Sequence, residues 1–399
     1  MFDPENSIKG LDFARRLKAL GHDVEVVTTY PSYPGGKIYP GYRQKWRQVD
    51  HVNGVRIVRL PTYISHGTSA AKRLLSYASF GLVGGLYALF CARKADVIYA
   101  YYPPVVVGAL ALFVGALRRT PYVYDVQDLW PEALVATGNI QRGGKIERLI
   151  NRFCNSIYHR AARVVVLSEG YRRALVSKGV PPQKIVRVFN WCDESRMRTA
   201  CVAKPTSISA DHFNILYAGN LGAAQALEYV IDAARLLHER GEQRVRFLFL
   251  GAGVAETELR GRAKKYGLDN VQFLPRVSVD EVGDYLTAAD ALLVHLADEP
   301  VFEITIPQKT QAYMLAARPI MMAVRGEAGE IIKDAGAGLV VEPCNSEQLA
   351  EAATAMSRLP ARDLTEMANR GLAFYKANMS VENGVRAVDK LLKSVVDER

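Results

Sequence analysis

Ile215-Leu216-Tyr217-Ala218-Gly219-Asn220-Leu221-Gly222 is a short apolar run that breaks into a glycine-containing turn. Apolar residues then recur at helical spacing over Ala226–Leu237. Strand, tight turn and helix in that order form half of a β-α-β unit. The same alternation continues downstream through Arg246–Leu250, Val271–Leu274, Ala291–His295, Ile320–Val324 and Gly338–Val341. Upstream it runs through Val24–Thr29, Val55–Leu60, Val97–Tyr101, Tyr122–Val126, Val164–Leu167 and Ile185–Phe189. These runs are nearly unbroken Val/Ile/Leu, the pattern of strands buried on both faces of a parallel sheet. The fold class is therefore α/β, with two Rossmann-like doubly wound parallel-sheet domains. A polar stretch, Asp193–Asp211, is read as the linker, which gives domains at 1–200 and 201–380. In such sheets ligands bind beyond the carboxyl ends of the strands, so a cleft between the two domains is the expected site.

With 399 residues the chain is long enough for two cores. Its 49% hydrophobic and 23% charged content is that of a globular protein. The five cysteines and seven histidines are scattered without ligand spacing, which argues for a reducing compartment and against a structural metal site. The first twenty residues have no secretory pattern, so a cytoplasmic protein is expected. Residues 1–200 carry 29 Lys+Arg against 14 Asp+Glu, whereas residues 201–399 carry 22 against 27. A first half with a balance of +15 points to a polyanion as partner, or else to a merely solvated basic face. The anionic inner leaflet of a membrane fits; nucleic acid is not expected, because no recognition motif accompanies the charge.

Leu74–Ala92 is a nineteen-residue stretch without charge, bracketed by Lys72-Arg73 and Arg93-Lys94. Strands on both sides must join one sheet, so a buried or membrane-dipping helix is expected and a membrane span is not. Val105–Leu117, closed by Arg118-Arg119, is a second such stretch. The chain enters a helix near Lys9–Leu20 without a preceding strand, although domains of this type open on a central strand. A start upstream of Met1 is the expectation, since a missing central strand leaves two edges unpaired.

Four segments stand where chemistry is expected. Tyr124-Asp125-Val126-Gln127-Asp128-Leu129-Trp130-Pro131-Glu132 places carboxylates at the end of a strand. Val164–Glu169 and Val188-Phe189-Asn190-Trp191-Cys192-Asp193 end the first half; Asn190 and Asp193 read equally well as turn residues. The turns at Gly219-Asn220 and Gly251-Ala252-Gly253 allow backbone amides to approach a phosphate, or are simply tight turns. In the fourth segment a strand ends at His295 and a helix starts near Pro307. Lys309 sits in the first turn of that helix, where the dipole disfavours a cation. A cation there makes sense if a diphosphate occupies the helix end, so Lys309 is the expected principal phosphate ligand. His295 reads as a strand-end residue rather than a catalyst.

In their order and spacing, these segments resemble glycosyltransferase family 4, retaining enzymes of the GT-B fold, from Phe2 to about Glu382. The chain is most similar to the bacterial group that adds amino sugars in O-antigen and capsule synthesis. The resemblance implies transfer of an N-acetylated amino sugar from a UDP-sugar, with retention and without a metal or other cofactor. The implied acceptor is a polyprenyl-diphosphate-linked saccharide, met by an enzyme peripherally associated with the inner membrane. It also implies that Asp128 lines the acceptor site, with helix capping as its alternative role. Glu303 would hold a donor-sugar hydroxyl, Gln311 the ribose, and Glu327-Ala328-Gly329-Glu330 the donor's sugar. Asn190 would lie beside the nucleotide, and Arg276 would support the diphosphate. The chain departs from the family at Asn220 and Gln225, where an Arg and a Lys clamp the diphosphate in many members. The family's spaced glutamate pair is also incomplete: the matching positions are Ile304 and Ala312, or Glu303 and Gln311. The terminal helix, within 381–399, would return to the first domain. A UDP-sugar 2-epimerase and a non-catalytic nucleotide-binding scaffold share the architecture and remain alternatives; sugar turnover separates the scaffold from both enzymes.

Overall fold

The computed structural model describes residues 8–32, 36–64, 70–101, 105–136, 140–197, 205–278 and 280–398. The chain forms two compact units. The first comprises Met1–Leu167, Tyr171–Val188 and Gly384–Arg399, and the second Ser168–Gly170 and Phe189–Asn383. The expected linker at Asp193–Asp211 lies partly outside the described residues.

In the first unit, β1 (Glu25–Thr29), β2 (Gln48–Val52) and β3 (Val55–Leu60) form a three-stranded sheet in the order β1-β3-β2. A second sheet runs β4-β5-β6-β7, from β4 (Ile98–Tyr101), β5 (Tyr122–Val126), β6 (Arg163–Val166) and β7 (Ile185–Arg187). Every pairing is parallel except β2 with β3. The sequence reading missed β2 and expected parallel strands only. β2 carries polar residues (QVDHV) and is exposed at His51, so it has no buried run to announce it. Its signal was the turn Asn53-Gly54, both at positive φ (51° and 78°), the dipeptide of a tight hairpin. Among the described residues no strand joins the free edges of β1 and β4.

Helix α1 (Leu11–Ala19) buries Phe13, Ala14 and Leu17. α2 (Ala70–Phe90), α3 (Val105–Arg118) and α4 (Lys145–Arg160) lie side by side. Glycines set their close approach: a Cβ at Gly81 would touch Val106, one at Gly85 would touch Leu110, and one at Gly108 would crowd Tyr124 and Ile157. No helix among the described residues is long and apolar enough to cross a membrane. The C-terminal helix Val381–Asp397 contributes Gly384 onward to this unit. There Asp389 pairs with His22 at 2.7 Å, and Glu398 pairs with Arg163.

The second unit is one parallel six-stranded sheet, ordered β10-β9-β8-β11-β12-β13. Its strands are β8 (Phe213–Ala218), β9 (Val245–Leu250), β10 (Val271–Leu274), β11 (Ala291–His295), β12 (Ile320–Ala323) and β13 (Gly338–Val340). All residues of β8, β11 and β12 are buried, as the continuous apolar runs require. Helix α5 (Glu228–Glu239) buries Val230, Ile231, Ala233, Ala234 and Leu237, spaced to fill one stripe against the sheet. Truncating a member of this core such as Leu237 to alanine costs about 2–5 kcal/mol. The strands expected from sequence are all present, with ends within two residues.

Candidate functional site

In the second unit the loops after β8, β9, β11 and β12 lie at one end of the sheet. Helix α6 (Gln308–Leu315) begins there, after Pro307 at φ −59°, with no side chain capping it. The loop after β9 packs directly on the loop after β8. Gly219 N–H donates to Leu250 O (2.8 Å), and Leu221 N–H donates to Ala252 O (3.0 Å). A Cβ at Gly251 would overlap the carbonyl oxygen of Gly219, and one at Gly253 would overlap that of Leu221. Backbone-on-backbone packing thus accounts for Gly251 and Gly253. Gly219, at φ 139°, leaves room for a side chain: a Cβ there would lie 2.7 Å from Lys309 Cε.

Lys309 is partly buried, and its Nζ sits 3.4 Å from the centroid of the Tyr217 ring. The ring is fixed because Tyr217 Oη donates to Asn220 O at 2.6 Å. Tyr313 braces the same turn, accepting from Ala218 N–H (3.0 Å) and donating to Ala218 O (3.3 Å). Among the described residues Lys309 has no carboxylate or hydrogen-bonding partner. Loss of hydration lowers its pKa to about 7. The result is an uncompensated ammonium beside a glycine turn and an uncapped helix start, an arrangement that fits an anion.

The other expected residues fall around this point in different ways. Asn220 is exposed; its Nδ2 donates to Gln225 Oε1 (3.3 Å), which also accepts Gly222 N–H (3.1 Å). Gln311 is buried, and in the amide orientation that satisfies both its atoms it donates to the carbonyls of Pro307 and Gln308. Asn190 is buried at the start of the second unit. Arg276 is exposed after β10, at the sheet edge two strands from β8, or roughly 10 Å away. Glu303 ends a short helix (Pro300–Glu303), 3.7 Å from Arg325, whose guanidinium also holds Asp298 (2.6 Å) and Glu342 (2.8 Å). Gly326, at φ 80°, allows the next loop to pass against the backbone of Glu303. Glu327, at the start of α7 (Glu327–Ala335), is buried and accepts from the amides of Glu169 and Gly170, both at 2.8 Å. Its carboxylate is thereby engaged with backbone. His295 accepts Cys344 N–H at 3.4 Å on Nε2, and its Nδ1 lies 2.7 Å from Gln225 O. Burial holds it neutral, with a pKa near 4, as suits a strand-end residue.

In the first unit, Asp128 follows β5. It remains exposed and makes no hydrogen bond among the described residues, so it does not cap a helix. The surrounding protein nonetheless raises its pKa. The sequence reading missed its neighbour. Asp125 is buried and forms an ion pair with Lys9, with both side chains fully enclosed. It also accepts from Tyr99 Oη and from Gln127 Nε2 (2.6 Å). Only the fold brings Lys9 to Asp125, 116 residues away.

Comparison with known proteins now gives this architecture its family. Residues 11–191 match the glycosyl transferase 4-like domain, and residues 212–358 match glycosyl transferases group 1. The two matches together span most of the chain, which is a glycosyltransferase. The Escherichia coli (strain K12) protein WcaI, named for colanic acid biosynthesis, is 28% identical over 346 residues, 84% of each chain. Sucrose-phosphate synthase from Thermosynechococcus elongatus has a similar structure, with TM-score 0.72 and 17% identity over 97% of this chain and 92% of that one. Anabaena HepE in complex with UDP-glucose superposes with TM-score 0.62 at 17% identity, over 87% of each chain. The glycosyltransferase has the GT-B fold, built of Rossmann-like domains.

Proposed function

We propose that this glycosyltransferase moves a sugar from a UDP-sugar to a lipid-linked saccharide during assembly of a surface polysaccharide. The observation that carries the donor half is Lys309, an uncompensated ammonium at an uncapped helix start. Its chemistry suits a diphosphate, and HepE, of like fold, is known in complex with UDP-glucose. The acceptor half draws on the likeness to WcaI and on the basic first half of the chain.

In this reading Lys309 and the first amides of α6 hold the diphosphate, against the turn at Gly219-Asn220. Gly251 and Gly253 keep that turn in place, and Arg276 reaches in from the sheet edge. Glu303 and its partner Arg325 face the donor's sugar, and Asn190 lies beside the nucleotide. Gln311 stiffens the first turn of α6. The bond from the anomeric carbon to the diphosphate oxygen breaks, and the acceptor oxygen bonds to the same face of that carbon. The acceptor proton leaves with the diphosphate. Lys309 neutralises the charge that builds on the leaving oxygen, and Asp128 offsets positive charge at the anomeric carbon. The test is calorimetric titration of UDP, GDP and ADP into the chain and into Lys309→Ala. Micromolar binding of UDP, lost in the variant, is expected. No binding of any nucleotide would overturn the donor assignment.

A further inference from the structure

A buried ion pair is a weak source of stability, since apolar side chains of the same size would serve a core as well or better. Lys9 and Asp125 form such a pair, with both side chains fully enclosed, so neither touches a substrate. They lie at the carboxyl ends of β4 and β5, the end of a parallel sheet at which ligands bind. A polar cluster kept in that place, at no gain in stability, calls for another purpose.

The strand register brings the cluster together. Tyr101 pairs with Asp125 and Tyr99 with Val123, so the side chains of Tyr99, Tyr101 and Asp125 share one face. Asp125 Oδ2 accepts from the Lys9 ammonium and from the Tyr99 hydroxyl. Lys9 Nζ also lies 5.5 Å from the centre of the Tyr101 ring, and Phe13 of α1 packs on Tyr99 at 5.7 Å between ring centres. Tyr99 keeps its proton, because burial and then the charge of Asp125 raise its pKa well above the ordinary value. The other carboxylate oxygen, Oδ1, accepts from Gln127 Nε2 at 2.6 Å.

That bond reaches out of the core and into the bend that carries Asp128. The side chain of Gln127 turns back to Asp125, whereas Asp128, the next residue, is exposed. Val126 and Leu129 are buried on either side, and Leu129 O accepts from Ala133 N–H at 2.8 Å. The backbone of the bend is thus anchored at 126, at 129 and, through the Gln127 amide, on a carboxylate that cannot shift without breaking its ion pair. Asp128 makes no hydrogen bond among the described residues, so its carboxylate is aimed by the backbone that carries it.

We infer that Gln127 is a positioning residue: its carboxamide, tethered to the Lys9–Asp125–Tyr99 cluster, holds Asp128 at the reacting carbon. The inference rests on the reading that Asp128 offsets positive charge at the anomeric carbon, and it gives the buried cluster a purpose in turnover rather than in stability.

The test compares single-turnover transfer by the full chain, Gln127→Met, Asp128→Asn and the double variant. Gln127→Met is similar in size and lacks the donor. It should slow transfer about tenfold or more, the scale of a misplacement near 1 Å, and leave UDP affinity and thermal unfolding unchanged. In the Asp128→Asn background the same substitution should cost nothing further, because a residue that acts through Asp128 has no effect once that carboxylate is gone. Gln127→Arg, which restores an N–H donor to Asp125, should recover most of the rate. Lys9→Met/Asp125→Leu, which removes the anchor, should slow transfer as Gln127→Met does. Amide exchange reads the tether without turnover: residues 126–130 should exchange faster in Gln127→Met than in the parent. Losses from Gln127→Met and Asp128→Asn that multiply independently would overturn the inference, as would unchanged exchange over 126–130. Full transfer by Asp128→Asn would overturn the role of Asp128 and the inference with it. A slow Asp128→Asn beside a Gln127→Met of parent rate would overturn the inference alone.

Discussion

Raising the pH should weaken nucleotide binding through Lys309, and the size of the effect follows from its surroundings. In the free protein the ammonium is poorly hydrated and has no carboxylate partner among the described residues, so its pKa lies near 7. A bound diphosphate stabilises the charged form and returns the pKa to the ordinary lysine value of about 10.4 or higher. The complex therefore holds a proton that the free protein has lost above pH 7. Because the pKa is higher in the complex, the contribution is complete below pH 7 and fades as pH rises through it. Affinity should fall about tenfold per pH unit above 7. Between pH 6 and pH 9 this amounts to about 100-fold, or ~2.7 kcal/mol. Calorimetry in buffers of different ionisation enthalpy reads the proton directly: near pH 8.5, close to one proton should be taken up per UDP. The terminal phosphate of UDP also titrates near neutrality, and Lys309→Ala, which retains that contribution, is the reference. Equal pH slopes for the parent and Lys309→Ala would refute the assignment of this lysine to the diphosphate.

Lys309→Met should stabilise the unliganded protein, since the penalty of a dehydrated cation disappears. A gain on the order of 2 kcal/mol at pH 6, shrinking toward pH 10, is expected in chemical denaturation. Asp125→Ala should cost about 3–5 kcal/mol by removing the buried carboxylate that pairs with the Lys9 ammonium, and a Lys9→Met/Asp125→Leu pair should recover much of that loss. Asp128→Asn should lower kcat about 100-fold and leave UDP affinity unchanged, as measured by single-turnover transfer alongside calorimetry. Gly251→Ala should push the loop after β8 away from Lys309, destabilising the protein by about 2 kcal/mol or more and weakening UDP binding at least tenfold.

Most of the architecture could be read from the sequence because strands buried on both faces are short unbroken apolar runs. β2 escaped because an edge strand exposed to solvent has no such run; only Asn53-Gly54 marked its turn. Lys309 stood out because its charge opposes the helix dipole, a local conflict visible without a structure. The glycines of the second unit were visible with two readings, phosphate approach or tight turn; that Gly251 and Gly253 pack on neighbouring carbonyls is something sequence does not show. Gln311 gave no sign that its amide turns back on its own helix. The Lys9–Asp125–Tyr99 cluster was invisible for the opposite reason, because three ordinary residues gain meaning only when β4, β5 and the start of α1 converge.

An amine that gives up its proton near neutral pH is also a nucleophile. At pH 7 roughly half of Lys309 carries a free lone pair, against about one in 2,500 for an ordinary lysine. Mild acylation or reductive alkylation should therefore mark this residue ahead of the other lysines, and bound UDP should shield it. The same desolvation that prepares the site for a diphosphate would make Lys309 a selective covalent handle for reporters, crosslinkers or inhibitors.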